Sequence, residues 1–156
     1  MTTVIPCSEV SLLRDIQRLQ CVQNSLARIV ANTNKYSHIT HIRKSLLWLP
    51  VLHRSVFKTA LLVYKFLHSG HSKNFEPLIK PRQSVYTKCT SQLDGVFLEV
   101  PHCASIYKSK KHFGLSFAYD APRIWNDLPD DVRSAKSLSS FRKKLKTYLF
   151  EKAYPP

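Results

Sequence analysis

The sequence SFAYDAPRIWNDLPDDVRSAKSLSSFRKKLKTYLF spans residues Ser116 to Phe150. It has one proline on each side of Trp125, and a long basic segment follows. Proline disfavours helical geometry in the residue before it, so Ala121-Pro122 and Leu128-Pro129 are each predicted to end a helix. Short carboxylates beside the second proline can accept hydrogen bonds from free amides at a helix start; they are Asp127, Asp130 and Asp131. We interpret this turn as a packing joint between helices.

A basic amphipathic helix is predicted from Ser137 onward, with Ser137 as its N-cap. Apolar residues recur at helical spacing on one side: Leu138, Phe141, Leu145, Tyr148 and Leu149. The other side carries Arg142, Lys143, Lys144 and Lys146. Such a helix can bury one face and present positive charge on the other.

Two helices are predicted in the first 50 residues. The first begins at Ser8-Glu9, and its apolar residues Leu12, Ile16, Leu19, Val22, Leu26, Ile29 and Val30 recur every three or four positions. The polar stretch 32–37 should end it. A shorter helix is predicted from Ile39 to Leu47, followed by a stop at Leu49-Pro50.

The segment Val51 to His68 contains neither glycine nor proline and is predicted to form another helix. At about 100° per residue, a basic stripe of Arg54, Lys58, Lys65 and His68 falls within about 80° of arc. Residues pointing away from it are apolar: Val56, Ala60, Val63, Phe66 and Leu67. The stripe is either a surface for phosphate contact or an ordinary solvated face.

Gly70 is predicted to end this helix, and one further helical turn is predicted at 75–79. An irregular stretch over 81–94 follows, and short strands are predicted after it. Val96–Val100 before Pro101 is the best strand, and His112–Ser116 is its predicted partner in a hairpin. The connection between them carries three lysines suited to backbone phosphates: Lys108, Lys110 and Lys111. Alternatively, these lysines are solubilising surface.

The predicted fold class is mainly α with a small β-hairpin (α+β), a thumb-like helical bundle with long N-terminal and C-terminal helices. One domain is expected over 1–156, with a helical part at 8–80, loop and strands at 81–116, and the tryptophan turn and basic helix at 117–154. The expected core contains Trp48, Phe57, Phe66, Pro122, Trp125, Pro129, Phe141 and Leu145.

The formal net charge of +14 favours an anionic partner, because clustered lysine and arginine attract phosphate. Residues 35–92 carry ten basic side chains against Glu76 alone, and residues 135–156 carry six against Glu151 alone. By contrast, residues 113–134 have two arginines against four aspartates. The Trp125 turn is therefore a poor phosphate site.

Catalytic and metal-binding patterns are not recognised in the sequence. Asp130 and Asp131 sit in a turn beside Arg133, and the sequence has no G-x-S-x-G elbow, Walker loop or G-x-G-x-x-G. Neither His38 with His41 nor the set Cys89, His102, Cys103 and His112 gives a four-ligand zinc pattern. We therefore expect no enzymatic activity, no metal and no cofactor.

No long uncharged apolar run predicts a membrane span, and no secretory signal is recognised. The four cysteines at 7, 21, 89 and 103 form no C-x-x-C pair and are interpreted as reduced thiols. The expected location is intracellular, nuclear or cytoplasmic, without membrane association.

Several blocks in series resemble the C-terminal region of non-LTR (LINE-type) retrotransposon reverse transcriptases. These are LQCVQNSLARIV at 19–30, SLLWLPVLHRSVFKTALLVYKFLH at 45–68, FLEVP at 97–101 and the whole stretch 116–150. The resemblance covers about residues 10–154. It implies a thumb and C-terminal extension that help to hold template and primer, without the polymerase palm, its Tyr-x-Asp-Asp motif or the endonuclease.

Two hypotheses for function follow. The first is a noncatalytic remnant that binds RNA or DNA backbone through basic helices, with Arg54, Lys58 and Lys65 on one helix and Arg142, Lys143 and Lys146 on the other. The second is a protein-interaction or scaffold module, or a reading frame with no retained function. For the second, an apolar helix face containing Ile16, Leu19, Leu26 and Ile29 would meet a protein partner or a second copy.

Overall fold

The computed structural model describes residues 7–69, 79–81, 96–101 and 112–155, and these residues are mainly helical. Six helices lie within them: α1 (Cys7–Val30), α2 (Ile39–Ser45), α3 (Val51–Ser69), α4 (His112–Asn126), α5 (Asp130–Arg133) and α6 (Leu138–Ala153). The predicted mainly helical fold with long first and last helices is confirmed. None of the helices in this described part is long and apolar enough to cross a membrane.

The predicted hairpin is wrong. Among the described residues, extended pairing consists of one antiparallel bridge between Pro81 and Leu98, and the Glu99 N–H donates to the Lys80 carbonyl at 2.9 Å. The expected partner strand, 112–116, is instead the first part of α4. The reason lies just downstream, where Ala118, Ala121, Pro122 and Trp125 are buried at i, i+3, i+4 and i+7, the spacing of a helix face.

The predicted helix stop at Ala121-Pro122 is also wrong, because Pro122 lies inside α4. A proline there removes the amide that would bond to the carbonyl of residue 118, which costs about 3 kcal/mol. Burial of Pro122 together with Trp125 on one helix face offsets this cost. The second stop is confirmed, since α4 ends at Asn126 and Pro129 precedes α5.

The chain divides into two compact units. Unit 1 comprises Met1–Ser55 and Thr147–Pro156, and unit 2 comprises Val56–Lys146. The single domain over 1–156 stays a prediction. The helix end predicted at Gly70 and the predictions for 75–78 and 82–95 concern residues outside the described ranges.

In unit 1, side chains of α1 and Tyr154, the residue after α6, hold the loop between α2 and α3. The buried Gln23 donates from Nε2 to the Leu49 carbonyl at 2.8 Å, and Gln20 Oε1 accepts from the Val51 N–H at 2.9 Å. The Tyr154 hydroxyl donates to the Trp48 carbonyl at 2.6 Å. Trp48, expected in the core, is half-buried, because the contacts that fix this loop are made by its main chain.

In unit 2, the end of α4 holds the extended segment at Val96–Leu98. Trp125 donates from its indole nitrogen to the Val96 carbonyl at 2.8 Å. The Asn126 amide accepts from the Leu98 N–H and donates to the Leu98 carbonyl, both at 2.9 Å. These bonds satisfy main-chain groups that belong to no ladder of strands among the described residues.

The core of unit 2 contains several of the expected residues. Pro122, Trp125, Phe141 and Leu145 are all buried. Three other residues expected in this core, Pro129, Phe57 and Phe66, are not fully buried. Pro129 is exposed because its neighbours Leu128 and Val132 are the buried pair of that turn.

Phe57 and Phe66 are half-buried, because the face of α3 that is most deeply buried consists of Ala60, Val63 and Tyr64. Phe66 lies about 120° around α3 from Ala60, on the flank of that face. The sequence pattern predicted α3 correctly, but Phe57 and Phe66 are not the most deeply buried side chains of that helix.

Candidate functional site

A groove of about 370 Å³ lies in unit 2 between the second half of α3 and the start of α6. Tyr64, Lys65 and His68 line it from α3, and Lys136, Ser137 and Leu138 line the opposite wall. Among the described residues, this lining contains two lysines and a histidine and no carboxylate. The groove is therefore suited to an anionic ligand.

Tyr64 ties the two walls together. Its hydroxyl donates to the Ala135 carbonyl at 2.8 Å, immediately before Lys136. Burial raises the pKa of the Tyr64 phenol above its ordinary value of 10.0, so the hydroxyl keeps the proton that it donates. This bond sets the position of Lys136 relative to Lys65.

An aromatic column runs from this groove into the core, and consists of His68, Tyr64, Phe141 and Trp125. The rings of His68 and Tyr64 are stacked at 3.8 Å between centroids, and those of Tyr64 and Phe141 at 4.2 Å. Trp125 follows, tilted, at 5.9 Å from Phe141. His68 is the exposed end of the column.

The orientation of the His68 ring is fixed by its own helix. Its Nδ1 atom lies 3.0 Å from the Tyr64 carbonyl oxygen. Because a carbonyl can only accept, Nδ1 carries the proton in this bond and donates it. This bond holds the imidazole against its own helix.

The N-terminus of α6 adds positive potential beside the groove. The Ser137 hydroxyl accepts from the Ser140 N–H at 3.2 Å, so the predicted N-cap is confirmed. The first turn of α6 has no acidic residue. The positive end of the helix dipole therefore acts in the same direction as Lys136.

Of the predicted basic residues of α3, Lys58 and Lys65 belong to unit 2 and form a row that leads to this groove, whereas Arg54 belongs to unit 1. Arg54, Lys58 and Lys65 are all exposed. At about 100° and 1.5 Å per residue, Lys58 and Lys65 lie within about 20° of each other and about 10 Å apart along the helix. Lys65 belongs both to the row and to the groove lining.

The three basic residues of α6 that were predicted to contact phosphate point in different directions around the helix. Arg142, Lys143 and Lys146 are exposed. Relative to Leu138, which lines the groove, Arg142 lies about 40° around the helix and Lys146 about 80°, whereas Lys143 lies about 140° away. Arg142 and Lys146 thus continue the groove side of α6, and Lys143 does not.

Lys144, which the sequence pattern grouped with these cations, instead pairs with an aspartate. Its Nζ atom donates to Asp131 Oδ1 at 2.6 Å and to the Asp131 carbonyl at 2.9 Å. Asp130 pairs with Arg133. The predicted capping role of these two carboxylates is wrong, because they lie within the first turn of α5 and bind cations rather than amides.

Arg133 is buried in the tryptophan turn, and its guanidinium carbon lies 4.2 Å from the centre of the Phe97 ring. Cation–π contact and the Asp130 pair together hold its charge there. The turn thus uses its arginine for packing. The exposed charges near Trp125 are Arg123 and the acidic Asp127, Asp130 and Asp131.

Lys136 was missed by sequence reasoning, because it lies outside every helical pattern. The available signal was its position directly before the Ser137 cap, where a side chain stands beside the first amides of a helix. Lys108, Lys110 and Lys111 lie outside the described residues. Within the described ranges, no three His, Cys, Asp or Glu side chains form a group that could hold a metal ion.

No family model, curated protein or solved structure matches this chain. The resemblance to LINE-type reverse transcriptases therefore stays a prediction carried by the sequence blocks.

Proposed function

We propose that this chain is a noncatalytic nucleic-acid-binding module, a remnant of a LINE-type reverse transcriptase that holds the phosphate backbone of RNA or DNA. The observation that carries the proposal is the groove in which Lys65, His68 and Lys136 meet at the end of the basic row on α3. The formal charge of +14 supports it, because the field of the whole chain attracts polyanions.

Contacts of this kind position a nucleic acid without reading its bases. The side chains of the row, Lys58 and Lys65, are exposed and lie along one face of α3. Binding is therefore expected to show weak sequence preference and a steep dependence on salt.

The salt dependence can be measured by fluorescence anisotropy with labelled single-stranded RNA, single-stranded DNA and duplex, at salt between about 50 and 200 mM. Each phosphate contact to a single strand contributes about −0.7 to the slope of log affinity against log salt. Six contacts would give a slope of about −4. An affinity that does not change with salt would contradict the proposal.

A charge-matched pair of variants locates the contacts. The test variant is Lys58→Glu, Lys65→Glu and Arg142→Glu, and the control is Arg14→Glu, Lys35→Glu and Lys44→Glu, which changes net charge equally at exposed positions of unit 1. We expect the test variant alone to lose most of its affinity and to have a shallower salt slope. Equal losses in both would mean that net charge, and not this surface, determines binding.

A second candidate function, association with a protein or a second copy of the chain, is favoured by an apolar face on α1. Leu19, Val22, Leu26 and Ile29 are 49% to 74% exposed and recur at alternating three- and four-residue spacing. That spacing is typical of a helix seam that packs on another helix.

For this second candidate, Leu26→Glu with Ile29→Glu is expected to abolish concentration-dependent association in sedimentation velocity, because it places charges in the apolar face. Leu62→Glu, at an exposed apolar position of α3, is the control. A wild-type chain that stays monomeric and recovers RNA but no protein would count against this function.

A further inference from the structure

We propose that the aromatic column of unit 2 ends in a stacking site for one unpaired nucleobase, with the outer face of the His68 imidazole as the platform. The inference rests on the proposed function and deepens it, because it assigns single-stranded nucleic acid as the ligand. The column supplies the base contact, and Lys65 and Lys136 supply the phosphate contacts.

The column leaves one ring face for a ligand. Tyr64 and Phe141 are 2% and 0% exposed, so neither can receive a base. The inner face of His68 lies on Tyr64 at 3.8 Å with an angle of 16° between the planes. His68 is exposed and its inner face is covered by Tyr64, so we infer that a ligand reaches the opposite face of the ring.

This platform is held in place before any ligand arrives. The His68 ring donates to the Tyr64 carbonyl at 3.0 Å, and the Tyr64 hydroxyl donates to the Ala135 carbonyl at 2.8 Å. A ring that is already fixed loses little rotamer entropy when a base stacks on it, so more of the stacking energy contributes to affinity.

The cations of the groove are placed to bind the phosphates that flank a stacked base. Lys65 and Lys136 line the same groove as His68, on its two walls. Aromatic platforms beside a basic groove are the usual means by which proteins hold single strands without sequence preference. A duplex base is stacked on its own neighbours and cannot present a free face, so the site selects unpaired nucleotides.

The test uses the full chain and a short pyrimidine strand, RNA or DNA, with one central fluorescent purine that is quenched when it stacks. Binding to the wild-type chain is expected to quench the probe. His68→Ala should abolish the quenching and weaken single-strand affinity roughly 5- to 150-fold, which corresponds to about 1–3 kcal/mol per stacked base, and should weaken duplex affinity much less, because a duplex makes only the phosphate contacts.

Two further variants control for general effects. His68→Trp keeps an aromatic face and should restore quenching and single-strand affinity, and His41→Ala, at an exposed histidine of α2, should change neither. Salt-dependent binding with equal affinity for single strand and duplex, and no quenching, would overturn the stacking site and leave the phosphate contacts standing. No binding of any nucleic acid at low salt would overturn both.

Discussion

Trp125→Ala is expected to lower the free energy of unfolding by about 3–5 kcal/mol, the range for truncating a large buried aromatic side chain. Trp125 is 2% exposed, packs against Phe141 with ring centroids at 5.9 Å, and donates to the Val96 carbonyl at 2.8 Å. Its loss leaves a cavity and an unpaired carbonyl. Urea unfolding followed by circular dichroism measures the shift in midpoint.

Trp48→Ala is the matched control, because it makes the same chemical change at a half-buried tryptophan whose Tyr154 contact is made by the main chain. A clearly smaller loss of stability is expected there. Equal urea midpoints for wild type and Trp125→Ala would refute the assignment of Trp125 to the core. Trp125→Phe keeps most of the apolar area and isolates the contribution of the indole hydrogen bond.

The long helices could be predicted from the sequence because their signals are local. Val51–His68 contains no breaker, and the structure extends that helix by one residue to Ser69. The Ser137 cap depends on a bond to an amide three residues later. Hydrophobic periodicity and helix capping depend on residues a few positions apart, so both can be recognised without the tertiary structure.

The errors occur where tertiary packing overrides a local preference. Pro122 is a strong helix breaker by itself, yet it lies inside α4 because its ring is buried on the face that also contains Trp125. Residues 112–116, which were expected to form a strand, are the first part of the helix that carries this buried face. No local sequence pattern indicates that burial of Ala118, Ala121 and Trp125 outweighs the free-energy cost of a proline inside the helix.

The candidate site was predictable only in part for the same reason. Periodicity on α3 identified Lys65 and His68, but nothing local indicated that Lys136 faces them. That placement depends on the Tyr64–Ala135 hydrogen bond, whose partners are 71 residues apart in sequence. The rotation of α6, which turns Arg142 toward the groove and Lys143 away, depends on the packing of Phe141 against Tyr64.

Phe141→Ala is expected to cost about 3–5 kcal/mol of stability, because Phe141 is fully buried between Tyr64 at 4.2 Å and Trp125 at 5.9 Å. Urea unfolding measures the loss, and Phe150→Ala, at a half-buried phenylalanine near the end of the same helix, should lose clearly less. Similar losses in the two variants would contradict a core centred on Phe141. Phe141→Leu keeps apolar volume but removes the ring under Tyr64, so it should retain much of the stability while loosening the support of His68. Probe quenching that falls in Phe141→Leu while the chain stays folded would link the core of unit 2 directly to its surface site.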